Sequence, residues 1–130
     1  PFQNKKIQKV VGIDARGFLL AAGVAYKLRA GISIVRKSGK LPRATLKQNY
    51  HLEYGENILE MHADTIRKGE KVLIVDDVLA TGGTMNATIK LVKKMQGKIA
   101  GIAFLIELNH LDGKRKVKGY KKHTVLKFDN

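Results

Sequence analysis

The sequence predicts an α/β fold, a mainly parallel twisted sheet flanked by helices. Three observations carry that expectation. Runs of aliphatic and β-branched residues at 9–13, 32–36, 71–75 and 99–108 are nearly continuous, as strands covered on both faces read. Two helix-like segments, 17–28 apolar almost all round and 84–96 with an amphipathic period, lie between such runs. The polar residues best suited to chemistry follow directly after strands, where open parallel sheets bind their ligands.

Each element has a local reason. The first strand, 9–13, runs into Asp14. Segment 17–28 is apolar almost all round, which predicts a buried helix, stopped by Ala30-Gly31. A second strand at 32–36 leads into 37–47, polar and basic with Gly39 and Pro42, a length expected of a functional loop; the flexible stretch is placed at about 37–49. Two short strands, 50–54 and 58–61, flank Gly55-Glu56-Asn57 as a hairpin turn. The strand at 71–75 precedes a helix with Met85, Ile89, Val92 and Met95/Gln96 on one face, capped by Gly97. A long strand at 99–108, a basic segment at 112–122 and an edge strand at 124–128 complete the chain. The 130 residues form a single domain without internal repeats.

Composition narrows the function classes. No apolar run approaches the roughly 20 residues that span a bilayer, and residues 1–6 show no signal-peptide pattern, so no membrane partner and a cytoplasmic location are expected. With no cysteine, disulfides and thiolate metal sites are excluded. His51, His62, His110 and His123 lack ligand spacing. A net charge of +14 allows a nucleic-acid partner but does not favour one. The lysines are spread along the chain, and the densest group, Lys114 to Lys122, has only Tyr120 as an interleaved aromatic.

The motif richest in chemistry is VLIVDDVLATGGTM, residues 72–85. Asp76 and Asp77 close an apolar strand, where two adjacent carboxylates suit the donor hydroxyls of a sugar diol. Thr81, Gly82, Gly83 and Thr84 then open a helix, whose unpaired N–H groups and dipole favour a phosphate. A bare Gly-Gly turn is common; joined to Asp-Asp after a strand, it points to a phosphosugar site. Asp14, Ala15, Arg16 and Gly17 hold the equivalent position after the first strand and form a second candidate anion site. The G-x-x-x-x-G spacing of Gly12 and Gly17 is not a Walker loop, because Phe18 and Leu19 stand where lysine and a hydroxyl residue are needed. Arg36, Lys37 and Lys40 follow the next strand and are placed to close on a polyphosphate. Glu53 beside Tyr54 is weak evidence of a general base when taken alone.

These segments together resemble the type I phosphoribosyltransferases. VLIVDDVLATGGT matches that family's signature for phosphoribosyl pyrophosphate (PRPP). GIDARGFLLA, IVRKSGKLP, LEYG and ATGGTMNAT narrow the resemblance to its adenine-specific members, over about residues 10–128. The resemblance implies transfer of a 5-phosphoribosyl group from PRPP to N9 of adenine, giving AMP and pyrophosphate, with Mg²⁺ as cofactor. By position, Asp76 and Asp77 would hold the ribose hydroxyls, and Ala80, Thr81, Gly82, Gly83 and Thr84 the 5-phosphate. Asp14, Ala15, Arg16 and Gly17 would form the pyrophosphate loop, with Lys37 and Lys40 helping to neutralise the leaving group. Glu53, Tyr54 and Arg36 would be catalytic, Arg36 reaching in from the neighbouring subunit of a homodimer. Leu79 and Arg16 would contact the base. Mg²⁺ would be held through PRPP oxygens, with Asp76 and Asp77 the side chains open to it and no dedicated protein site. Family members also carry an N-terminal hood over the adenine ring, and the resemblance, which starts at about residue 10, leads to the expectation that this hood is absent here. The alternatives are a PRPP-binding regulatory or nucleic-acid-binding module on the same fold, and a catalytically impaired core.

Overall fold

The computed structural model describes residues 6–13, 16–37, 45–52, 55–62, 64–79, 83–108 and 119–128. Along the chain run β1 (Lys9–Ile13), α1 (Arg16–Leu28), β2 (Gly31–Lys37), β3 (Thr45–Leu52), β4 (Gly55–His62), β5 (Lys71–Leu79), α2 (Gly83–Lys94), β6 (Lys98–Leu108) and β7 (Lys122–Phe128). They build a seven-stranded sheet in the order β3-β4-β2-β1-β5-β6-β7. β2, β1, β5, β6 and β7 are parallel, while β4 pairs antiparallel with both β2 and β3. The predicted mainly parallel α/β sheet is therefore present.

The two helices cover opposite faces. Val11, Ile74, Ile102 and Phe104 pack with Met85, Ile89 and Val92 of α2. Val10, Leu73 and Val75 pack with Ala21 and Ala25 of α1. Adjacent β5 residues thus feed different cores, as the period of two requires, so the strand reads as continuously apolar. The helix over 17–28 is not buried all round: Leu19 is 80% and Tyr26 87% exposed, with Ala22 and Gly23 exposed between them. Apolar composition alone does not distinguish a buried face from an apolar face left open.

Three boundaries differ from the sequence expectation. β5 continues past Val75 to Leu79, with Asp76 opposite Phe104 and Leu79 opposite Glu107. Backbone ladder bonds are indifferent to side-chain charge, so two carboxylates do not end a strand whose partner continues. Residues 45–49 belong to β3 rather than to a loop, because β4 offers them an unbroken antiparallel partner from Thr45↔His62 to Leu52↔Gly55. The same register puts Gly55-Glu56-Asn57 within β4 rather than in a turn. The remainder of the predicted loop, 38–44, lies outside the described residues.

The end of α2 refines its predicted glycine cap. Gln96 takes the left-handed conformation (φ 63°), and the Gly97 N–H donates to the Val92 carbonyl at 3.1 Å. Gly97 is needed for space, since a Cβ there would approach Val92 Cγ1 to 2.9 Å and Ile66 Cγ2 to 3.0 Å. Left-handed geometry is costly for a residue with a Cβ, so Gln96→Gly should stabilise the fold by about 0.5–1 kcal/mol, read as a higher urea midpoint at unchanged slope.

Candidate active site

In the register of the central strands, Ile13 of β1 lies beside Val35 of β2, and Gly12 beside Val75 of β5. The carboxyl ends of β2, β1 and β5 are therefore neighbours. The chain leaves β1 toward β2 on one side and β5 lies on the other, which makes this the switch point where an open α/β sheet has its ligand crevice. Described segments scattered over some seventy positions of the sequence meet there: Arg16 and Gly17 opening α1, Arg36 and Lys37 ending β2, Asp76 to Leu79 ending β5, and Gly83 and Thr84 opening α2.

Asp76 is buried and Asp77 half-buried. The Asp76 carboxylate Oδ1 accepts the Asp77 backbone N–H at 2.8 Å, which fixes the first carboxylate against the strand. The two side chains belong to successive strand positions and so leave the backbone on opposite sides. They form a stepped pair rather than one shared anionic point. Both make further interactions within the protein.

The first turn of α1 closes directly on this strand end. Gly17 is buried; a Cβ on it would lie 3.2 Å from Asp76 Oδ1 and 3.2 Å from the Val75 carbonyl. Behind it, a Cβ on Gly12 would come within 2.6 Å of the Ala21 Cβ and 3.0 Å of the Gly17 carbonyl. These two glycines set how closely α1 lies on β1 and β5, and hence where the helix N-terminus points. Arg16 is the first residue of α1, and Gly83 and Thr84 begin α2. Two helix N-termini, each a source of free N–H groups, therefore flank the carboxyl edge.

Arg36 is half-buried with its guanidinium over the Phe18 ring, 5.8 Å from the centroid. Its antiparallel register partner is Glu60 of β4, which is only 2% exposed and is paired in turn with Lys47 of β3. A buried carboxylate between two cationic positions on neighbouring strands is strongly favoured over one left alone. Sequence reasoning passed over Glu60 and Phe18. The signal for Glu60 was a lone acid between Leu59 and Met61, which the period of two turns away from their core.

β4 pairs with β2 only through Leu59 and Glu60, so its residues 55–58 run on past Lys37. At about 3.3 Å per residue, Leu52 and Gly55 stand roughly 13 Å beyond the end of β2, on the same edge as the other segments. Glu53 and Tyr54, the residues they bracket, lie outside the described residues. Asp14, Ala15, Lys40, Ala80, Thr81 and Gly82 do so too, while Lys37, Leu79, Arg16 and Gly83 are placed by their backbone alone. Among the described residues, no group of three or more histidine, aspartate or glutamate side chains could enclose a metal. None of the described helices is long and apolar enough to cross a membrane.

Comparison with known proteins agrees with this geometry. Residues 2–129 match the model of the phosphoribosyl transferase domain. The adenine phosphoribosyltransferase of Geobacter metallireducens is 54% identical over 127 residues, covering 98% of this chain and 74% of that protein. The crystal structure of adenine phosphoribosyltransferase from Rhodothermus marinus superposes with a TM-score of 0.95 at 52% identity, over 98% of this chain and 73% of its own. The Saccharomyces cerevisiae enzyme, crystallised with an imino-altritol bisphosphate and adenine, superposes at 0.91 with 38% identity, over 96% and 70% of the two chains. The chain belongs to the phosphoribosyl transferase family, and its relatives are adenine phosphoribosyltransferases.

Proposed function

We propose that this chain transfers the 5-phosphoribosyl group of PRPP to adenine, releasing pyrophosphate and forming AMP. The observation that supports this most is the convergence of the three β-strand ends at the switch point, which brings a carboxylate pair together with two helix N-termini. In this reading Asp76 and Asp77 accept hydrogen bonds from the ribose hydroxyls. Residues 80–84 hold the 5-phosphate at the N-terminus of α2. Asp14 to Gly17 receive the pyrophosphate at the start of α1, with Lys37 and Lys40, and Arg36 of a second copy, supplying positive charge. Leu79 and Arg16 border the base.

The bond from C1 of the ribose to the pyrophosphate oxygen breaks, and a bond from C1 to N9 of adenine forms. Negative charge grows on the departing pyrophosphate, so fixed N–H donors and cations facing it lower the barrier. Glu53, beside Tyr54, takes the N9 proton. Water must be kept from C1, where it would otherwise hydrolyse PRPP.

Mg²⁺ fits this donor set: hard carboxylate oxygens are at hand, and a magnesium ion commonly takes one or two carboxylates with the rest of its shell from substrate and water. When bound it would neutralise pyrophosphate charge, with Asp76 and Asp77 as the protein groups nearest to it. A second copy of the chain completes the site in this reading, since Leu19, Ala22 and Gly23 leave an apolar strip open on α1 next to the Arg36 contact. A cytoplasmic location belongs to the same reading.

A coupled assay for pyrophosphate release across adenine, guanine, hypoxanthine and xanthine tests the proposal. Adenine alone should support Mg²⁺-dependent release with equimolar AMP. Release with no base preference, or none at saturating PRPP and adenine, would overturn it.

A further inference from the structure

We propose that the amino edge of the sheet, opposite the edge that holds the site, is a binding surface for single-stranded nucleic acid. Lysines that are dispersed in the sequence are gathered here by topology. Parallel strands all begin on one edge, so Lys9, Lys71 and Lys98 open β1, β5 and β6 side by side. Arg29 follows α1 directly, and Arg67 and Lys68 precede β5. Of these six, all but Lys9 are exposed, and Lys9 is partly so.

The turns that carry them are tied into one platform by backbone hydrogen bonds. Gln8 N donates to the Lys71 carbonyl at 2.9 Å, Gly31 N to Gln8 at 3.1 Å, Lys98 N to Glu70 at 2.8 Å and Gly69 N to Gln96 at 2.8 Å. Among the described residues the acids of this edge are Glu70, which accepts the Arg67 backbone N–H at 3.2 Å, and Asp64, too few to balance six cationic side chains.

Helix dipoles account for part of the charge. Lysine is favoured in the last turn of a helix, where Lys27, Lys93 and Lys94 stand. They do not account for the strand starts. Lys71 and Lys98 are direct register partners, a like-charge pair that is unfavourable in the free protein and is relieved by an anion lying across it.

The form of the edge selects among polyanions. It is a rigid rim of turns, with no projecting helix or ribbon among the described residues to enter a duplex groove. Among the described residues, the exposed large aliphatic side chain at this edge is Ile32, and one such side chain is too little to anchor in a bilayer interface. At one end the rim opens into a concavity of about 530 Å³ lined by Ala25, Tyr26, Lys27, Arg29 and Ala30. Tyr26 is 87% exposed there and lies one turn past the strip assigned to a second copy. A cationic track beside an exposed aromatic is the usual surface for a single strand, bound through phosphates and stacking rather than base identity.

Fluorescence anisotropy with a labelled oligouridylate of roughly 12 nucleotides tests this. Binding should be measurable at about 50 mM salt and weaken with a log–log slope near −3, from four to five phosphates at roughly 0.7 each. Lys71→Glu/Lys98→Glu should lose at least about tenfold in affinity while keeping PRPP turnover, and Arg67→Ala/Lys68→Glu should show the same loss if the first variant does not fold. Lys98→Gln should cost more than Lys127→Gln, an equal charge change near the far end of β7. Saturating PRPP should leave the complex intact. No binding at low salt, equal losses from Lys98→Gln and Lys127→Gln, or displacement by PRPP would overturn the proposal. So would binding to phosphatidylserine vesicles without binding to the oligonucleotide, which would assign the edge to membranes.

Discussion

Changing Asp76 and Asp77 together to asparagine should abolish PRPP binding and turnover while leaving the fold intact. The substitution is isosteric. The amide that replaces the Asp76 carboxylate would keep a side-chain oxygen to accept the Asp77 N–H bond, now made at 2.8 Å. Both positions also lie within the β5 ladder rather than at a loose strand end. What is lost is the charge to which, in the proposed function, the ribose hydroxyls donate. Hydrogen bonds to charged acceptors contribute about 1.5–3 kcal/mol each, so two such bonds lost weaken PRPP binding by roughly a hundredfold to ten-thousandfold. Calorimetric titration with PRPP and Mg²⁺, beside a thermal melt, separates the outcomes. A melt unchanged within a few degrees with PRPP heat absent is the expected result. Retained PRPP affinity in the folded double variant would remove these carboxylates from the site.

The second large effect is expected from one methyl group. Gly12→Ala places a Cβ about where the Ala21 Cβ already stands, at a separation of 2.6 Å, and 3.0 Å from the Gly17 carbonyl. Neither neighbour is the free end of a flexible side chain, so α1 must move away from β1. Overpacking of this kind costs about 1–3 kcal/mol. In a domain of this size that lowers the melting temperature by roughly 3–12 °C. The same movement displaces the helix start at Arg16 and Gly17, which now sits against Asp76 and the Val75 carbonyl. A shift of about 1 Å in a positioning element costs around a hundredfold in rate. Activity should therefore fall well below the folded fraction, measured as turnover per folded molecule at a temperature beneath the melt. A variant that loses stability but keeps full specific activity would uncouple this helix contact from the site.

Much of the fold was legible because its strands and helices carry strong periodic signals. The central strands are apolar on both faces, and α2 shows Met85, Ile89, Val92 and Met95 at helical spacing, all of them buried. The β3–β4 hairpin was read less well. Thr45 to Asn49 is mostly polar, with Leu46 its one large apolar residue, and it joins the strand begun by sequence at Tyr50 because β4 pairs with it along its full length. Such pairing is a property of two segments at once, which a local window does not see. For the same reason Glu60 was missed: its meaning depends on Arg36 and Lys47 being its register partners on either side.

By itself the sequence determined the sheet class, the order of its elements and the donor chemistry. These are local properties: apolar period, and a contiguous motif that carries carboxylates, glycines and a helix start within a few residues. Only the tertiary structure decided how the pieces combine. Parallel register brings the ends of β2, β1 and β5 together, and the period of two sends Asp76 and Asp77 off opposite sides of one strand. The same topology sorts charge that looked evenly spread, placing Lys9, Lys71 and Lys98 along the edge opposite the carboxylates. Strand direction alone separates the two edges, and direction is set by long-range pairing that no short stretch of sequence contains.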